Sequence, residues 1–268
     1  MNTSITGAIL AGGKSSRMGT DKGLLLINEK NMVERIAELL KPFVSELIII
    51  SNGHNYDYLG YKIYHDLIKD CGPMGGMYTA LAKSKTEKNF IISCDMPFVS
   101  PEIIESIIKN SDNCQVAIPL HAEGVEPLCG VYDKSCISKF EELLENKKWK
   151  LKDALKHFAL KQIPLKETIF VSHCFANINT PAEYEKVKSG PMSIQIKMFG
   201  QLAEVVGSNE LQLQRVSDIS LLRKELISRF PKLENHPFVI AVNKKIASKN
   251  QKINKGDSVA LLPPFAGG

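Results

Sequence analysis

Long apolar runs are missing from this sequence. Nowhere in its 268 residues do more than five apolar side chains follow one another, at Phe238 to Val242, far short of the roughly 18 that a membrane helix requires. No basic segment followed by an apolar core opens the chain, where MNTSITGAIL stands instead, so no secretory signal is expected and a cytoplasmic location is. The six cysteines (Cys71, Cys94, Cys114, Cys129, Cys136 and Cys174) include no C-x-x-C pair and no histidine at metal-site spacing. That argues against zinc and against a disulfide framework and leaves buried, reduced thiols. Disordered and fibrous classes are excluded by composition, since 44% of residues are hydrophobic and only 24% charged.

Net charge is absent where most of the chain lies. The first 191 residues balance, and the whole net charge of +5 comes from the last 77, with eleven Lys/Arg against six Asp/Glu. These basic residues are scattered, in runs no longer than two and without interleaved aromatics. No nucleic-acid partner is expected; a surface that docks an acidic protein suits the pattern.

What is present reads as two domains, the prior for this length. Thr6 to Ala11 is a short apolar strand running into a glycine-rich turn. Residues 31–43 carry Met32, Val33, Ile36, Leu39, Leu40 and Phe43 at helical spacing. Leu47 to Ile50 and Phe90 to Ser93 are short continuous apolar runs, as in strands buried on both faces of a mainly parallel sheet. Gly72-Pro73 opens a helix through Leu81, and Ser100 caps another with Pro101 at its first position. Thr180 to Glu183 spells a capping box for a helix ending near Lys188. Alternating strands and helices give an α/β layered domain over 1–188. After a linker at 189–193 the period becomes two: Ile194, Ile196 and Met198 alternate with polar residues. A strand at Leu211 and Leu213, a helix from Ser217-Asp218, and strands at Phe238 to Val242 and Val259 to Leu262 complete a small α+β domain over 194–268, the order of a β-grasp or ubiquitin-like fold.

The densest chemistry lies in Leu10-Ala11-Gly12-Gly13-Lys14-Ser15-Ser16-Arg17-Met18-Gly19-Thr20-Asp21-Lys22. A strand feeding glycines lets backbone N–H groups face an anion unobstructed, and Arg17 and Lys22 add fixed positive charge. A Walker A loop would need glycine at position 8, where Ala8 stands, and no G-x-G-x-x-G follows the first strand. Asp95, just beyond the strand Phe90 to Ser93, lies where ligands gather in open α/β sheets. A carboxylate there can hold Mg²⁺, which takes one or two carboxylates plus phosphate oxygens.

This stretch resembles the L-A-G-G-x-S-x-R-M-G-x-D-K signature of molybdenum cofactor guanylyltransferases, within the layered, Rossmann-like nucleotidyltransferases. The likeness runs over 1–188 through Ile50-Ser51-Asn52, His65-Asp66, Gly72 to Met77, Cys94 to Pro97 and Asn177 to Pro181. It implies transfer of GMP from GTP to molybdopterin cofactor with release of pyrophosphate. Leu10, Ala11, Gly12, Lys22, Asn52, Asp66 and Asp95 would hold GTP, joined by Gly13 and Gly72 from the same motifs. Arg17, Lys22 and Asp95 would be catalytic, with Mg²⁺ on Asp95, and Asn177 and Asn179 would lie toward the pterin. Related CTP enzymes show L-A-A-G, so Gly12 favours guanine.

The ending Pro263-Pro264-Phe265-Ala266-Gly267-Gly268, with Phe199 to Leu202 and Lys255 to Val259, resembles the small sulfur-carrier subunit of molybdopterin synthase over 192–268. That implies a thiocarboxylate on Gly268 after Gly267, a large molybdopterin synthase subunit as partner, an adenylylating activating enzyme and a sulfur donor. Two other readings stand beside this fusion. One is a CTP or sugar-phosphate transferase with a ubiquitin-like module; the other is a non-catalytic carrier or scaffold.

Overall fold

The structure, a computed structural model, describes residues 4–12, 21–27, 30–53, 55–165, 174, 175, 178, 180, 181, 184, 194–213, 216, 218–254 and 256–264. The chain divides into two compact units, Met1–Tyr184 and Glu185–Gly268. The capping-box helix near Lys188 and the 189–193 linker fall largely or wholly outside the described residues, although Tyr184 N donates to Thr180 O at 3.0 Å.

In the first unit the strands are β1 (Ile5–Leu10), β2 (Leu26–Ile27), β3 (Lys30–Asn31), β4 (Glu46–Ile50), β5 (Lys62–Tyr64), β6 (Lys88–Ser93), β7 (Val116–His121), β8 (Gly124–Val125), β9 (Cys129–Asp133) and β10 (Leu160–Pro164). The helices are α1 (Met32–Leu40), α2 (Pro73–Lys83), α3 (Pro101–Lys109), α4 (Ile137–Glu145) and α5 (Leu151–Ala154). The main sheet has the order β10-β7-β9-β6-β1-β4-β5, with β8 on β7, while β2 and β3 pair separately. β1 is parallel to both β4 and β6, β4 to β5, and β7 to β10; β9 runs antiparallel between β6 and β7.

Every residue of β1 is buried because the strand is covered on both faces. Ile9 packs with Val33, Ile36 and Leu40 of α1 and with Ile104 and Ile107 of α3. Its neighbours Ala8 and Leu10 point the other way, into Met74, Met77 and Leu81 of α2 and Phe140 of α4. The period-two alternation of a strand thus feeds two helical layers. α1 stops at Leu40 and its last turn, Lys41–Phe43, tightens to a 3₁₀ helix. Pro42 explains why: it has no N–H for the i→i−4 ladder. Ser100 caps α3 as expected, accepting from Ile103 N.

The second unit contains β11 (Ile194–Met198), α6 (Gln201–Val206), β12 (Glu210–Leu213), α7 (Ile219–Arg229), β13 (Val239–Val242), β14 (Lys245–Ile246) and β15 (Val259–Leu262). The sheet order is β12-β11-β15-β13-β14, with β11 and β15 parallel and the other pairs antiparallel. Along β11, Ile194, Ile196 and Met198 are buried while Gln195 and Lys197 are exposed. Asp218 accepts from Leu221 N to cap α7, whose Ile219, Leu222 and Leu226 enter the core. The sequence also marks a turn at Asn243-Lys244-Lys245, and the chain does turn there, with Asn243 and Lys244 both left-handed. Two elements exceed the sequence reading: α6, entered through Gly200 at φ +58°, and the short returning strand β14. Among the described residues the cysteines form no disulfide, and all but the half-buried Cys114 are buried. No helix of the described residues is long and apolar enough to cross a membrane.

Candidate active site

Sheet order places the site. β1 sits between β4 and β6, the point where successive parallel strands depart in opposite directions, so their carboxyl ends border a crevice. Backbone hydrogen bonds hold the segments leaving these strands: Ala11 N donates to Ile50 O at 2.9 Å, Ser51 N to Tyr64 O at 3.0 Å, and Cys94 N to Leu10 O at 3.0 Å. A cleft of about 860 Å³ opens above them, within the size range of small-ligand sites. Leu10, Ala11, Gly12, Lys22, Asn52, Asp66, Gly72 and Asp95 all line it. Eight residues from five stretches of sequence therefore meet in one place. Gly13, Arg17, Asn177, Asn179, Gly267 and Gly268 lie outside the described residues.

Asn52 and Asp66 are tied reciprocally: Asn52 Nδ2 donates to Asp66 Oδ2 at 2.9 Å, and Asp66 N donates to Asn52 Oδ1 at 3.0 Å. The pair fixes both side chains before any ligand arrives. Gly12 is exposed. A Cβ added there would meet no protein atom closer than 3.8 Å, so the protein itself does not require glycine, and the missing side chain leaves room in the cleft. At Gly72 the backbone takes φ +60° to start α2, a conformation that disfavours any residue with a Cβ. Gly72 and Pro73 line the cleft, so the first turn of an eleven-residue helix borders it with the positive end of its dipole.

Lys22 is delivered by a network that sequence patterns do not show. Asp21 caps the 3₁₀ turn Lys22–Leu24, accepting from Gly23 N at 3.0 Å and from Tyr56 Oη at 2.7 Å through Oδ1, and from Asn55 Nδ2 at 3.2 Å through Oδ2. Tyr56 is fully buried, and burial followed by the Asp21 carboxylate pushes its phenol pKa far up, which keeps it a donor. These partners sit 34 and 35 residues from Asp21, a separation that only the fold closes. Gly23 leaves space for the tyrosine: a Cβ would sit 2.7 Å from Val33 Cγ2 and overlap Tyr56 Oη. Gly23→Ala is expected to destabilise the protein by about 1–3 kcal/mol, the usual range for overpacking, read as a lower urea midpoint at unchanged slope. It should also weaken nucleotide binding, because the displaced turn carries Lys22.

Asp95 follows β6 and is half-buried. Its Oδ1 is buried and has no hydrogen-bond partner among the described residues. Its backbone carbonyl accepts from Ile178 N at 3.3 Å. Beside it, burial pushes the Cys94 thiol pKa well up, so it stays a neutral thiol. Lys22 and Lys69 bring positive charge to the cleft, and Asp21, Asp66, Asp70 and Asp95 bring negative charge. No group of three or more His, Cys, Asp or Glu side chains fit to hold a metal occurs among the described residues. A cation here would have to draw its remaining ligands from water and phosphate, the habit of Mg²⁺.

A charged cleft at the parallel strand ends of a layered α/β sheet is where folds of this class bind their ligands. The sequence profile described as "MobA-like NTP transferase domain" matches residues 7–162, and that of the "ThiS family" matches residues 196–268. A probable molybdenum cofactor guanylyltransferase of Pelotomaculum thermopropionicum is 36% identical over 188 residues, covering 68% of this chain and 91% of that one. Another protein of that name, from Carboxydothermus hydrogenoformans, is 36% identical over 186 residues and covers 68% and 94%. The crystal structure of molybdopterin-guanine dinucleotide biosynthesis protein A from Archaeoglobus fulgidus shares the fold with TM-score 0.59 at 24% identity, covering 68% of this chain and 96% of its own. The chain belongs to the MobA-like NTP transferase family and carries a ThiS-family domain after the nucleotidyltransferase domain.

Proposed function

We propose that the first domain, 1–188, transfers GMP from GTP to molybdopterin cofactor, and that after a linker at 189–193 the domain over 194–268 carries sulfur as a thiocarboxylate on Gly268. One observation carries the first half: eight residues expected at the nucleotide converge on one cleft, and one of them, Asp95, brings a buried oxygen with no partner among the described residues. The names of the relatives support guanine as the base and molybdopterin as the acceptor. That orphaned Asp95 Oδ1 fits Mg²⁺, which when bound would neutralise charge on the α-phosphate and the departing pyrophosphate. Lys22, and Arg17 from the glycine-rich turn, would hold the polyphosphate. Asn52 and Asp66, locked to each other, would present fixed polar atoms to the nucleoside. The acceptor is a phosphate monoester whose oxygen is already anionic, so no residue need act as general base.

For the second half, support comes from the ThiS profile reaching residue 268 and from β15. This strand lies between β11 and β13 and leads to exposed Pro263 and Pro264. The partners implied are the large subunit of molybdopterin synthase, an adenylylating activating enzyme and a sulfur donor, all in the cytoplasm. The test is pyrophosphate release by purified protein with magnesium and molybdopterin cofactor. GTP should support turnover and CTP should not; equal rates, or turnover with CTP alone, would overturn the guanylyl assignment.

A further inference from the structure

Asp95 and Leu128 belong to two clefts at once. The second, about 400 Å³, takes the rest of its lining from Met96, from Glu126 and Pro127 ahead of β9, and from Lys150–Asp153 around α5. Apart from Met96, which lies in the Cys94 to Pro97 motif, none of these residues was singled out by sequence. The backbone joins the two clefts where Ser93 N, at the end of β6, donates to Leu128 O at 2.9 Å.

Charge is sorted within this second cleft. Lys150 and Lys152 are exposed and form no ion pair among the described residues, whereas Asp153 is taken by Lys156 at 2.7 Å. Glu126 is half-buried, and its Oε1 lies 3.1 Å from His121 Nε2. His121 is buried and stacked on Phe175, centroids 4.8 Å apart and planes 8° from parallel. A carboxylate held by a stacked histidine is a fixed acceptor. Only its Oε1 is engaged among the described residues, which leaves Oε2 for another donor. Met96, Pro127, Leu128 and Leu151 supply the apolar part of the lining.

From this we infer that the second cleft seats the acceptor, a phosphate monoester borne on a fused heterocycle with an N–H edge, with Glu126 taking the N–H edge and Lys150 and Lys152 the phosphate. The inference deepens the guanylyltransferase reading and rests on it. Carboxylates pair with adjacent N–H donors, and ammonium groups with phosphate, through charge-assisted hydrogen bonds. Asp95 stands where the two clefts join, so the acceptor phosphate and the nucleotide α-phosphate meet beside it. An acceptor phosphate oxygen bonds to the α-phosphorus while the bond from that phosphorus to the bridging oxygen breaks. The electron pair leaves with pyrophosphate, and no proton has to be removed.

The full chain bearing Lys150→Ala and Lys152→Ala together, and separately Glu126→Gln, tests this. Both lysines are exposed, so the melting temperature should not move. The double variant should raise the acceptor KM at least about tenfold, the scale of one charged hydrogen bond, with the GTP KM within about twofold of the parent. Glu126→Gln, which keeps the shape, should raise the acceptor KM and spare GTP likewise. An acceptor KM unchanged in both would overturn the assignment. If the parent chain releases no pyrophosphate from GTP, the guanylyl reading fails by itself. Fluorescence polarisation with an oxidised, fluorescent pterin phosphate then still decides: binding lost in the double variant upholds the cleft, and binding that is equal in both proteins, or absent from the parent, refutes it.

Discussion

Replacing Asp95 by asparagine should cut GTP turnover by roughly 10²–10³-fold, the effect of losing one preorganised electrostatic contact in a water-poor site, without lowering the melting temperature. The two outcomes come from one atom. Asp95 Oδ1 is buried and accepts no hydrogen bond from the described residues, so folding withdraws it from water without their replacing what water supplied. Such a group costs about 1–3 kcal/mol. A carboxylate kept for the turn before Pro97 would instead accept a local N–H. That turn is closed by backbone, Met96 N donating to Ser93 O at 3.3 Å and Val99 N to Met96 O at 3.5 Å. Asparagine removes the charge and leaves the turn intact, so stability should hold or rise while catalysis falls. Turnover and calorimetry on the same preparation check both. A variant that melts well below the parent would make Asp95 structural, and a fully active variant would remove it from the chemistry.

How much of this site was legible depended on whether its residues announce themselves locally. Leu10 to Lys22 is one contiguous glycine-rich stretch after a strand, and Asp95 follows a short apolar run, so pattern places these at strand ends; Asn52, Asp66 and Gly72 entered the site only through the family resemblance. The strand reading of β1, β4 and β6 worked because a strand covered on both faces must be continuously apolar. The segment from Cys114 to Phe175 gave no such signal. There β7, β9 and β10 are broken by Pro119, Gly130 and Lys161, and β9 is antiparallel in an otherwise parallel neighbourhood. A Cβ at Gly130 would sit 2.6 Å from Ala117 O, so the glycine that weakens the strand signal is what lets β9 approach β7. Glu126, Lys150 and Lys152 lie in that quiet segment. Tyr56 was hidden differently: nothing near it in sequence shows that it ends on Asp21. In the second unit the alternation of β11 and the cap of α7 were readable, whereas α6 is one short helix with a single fully buried side chain, Leu202, too little for a periodic signal.

Removing Gly267 and Gly268 should abolish sulfur loading outright and leave GTP turnover within about twofold of the parent, since the described residues that line the nucleotide cleft end at Leu128. The fold of the second unit should survive, because among the described residues its last strand, β15, ends at Leu262 and the last core side chain is Leu261. The chemistry requires the glycines themselves. A carboxylate activated as an acyl-adenylate must enter a partner's active site, and a backbone without side chains can follow a narrow channel in conformations closed to other residues. Intact-mass measurement after treatment with activating enzyme, ATP and sulfide should show one oxygen exchanged for sulfur in the parent and none in the truncated chain. Asp95→Asn should load as fully as the parent. Losses that cross over, with truncation impairing GTP turnover or Asp95→Asn impairing loading, would mean that the two chemistries are not separable along the chain. Independent losses would assign one reaction to each unit, because each contains its own core and its own reactive group.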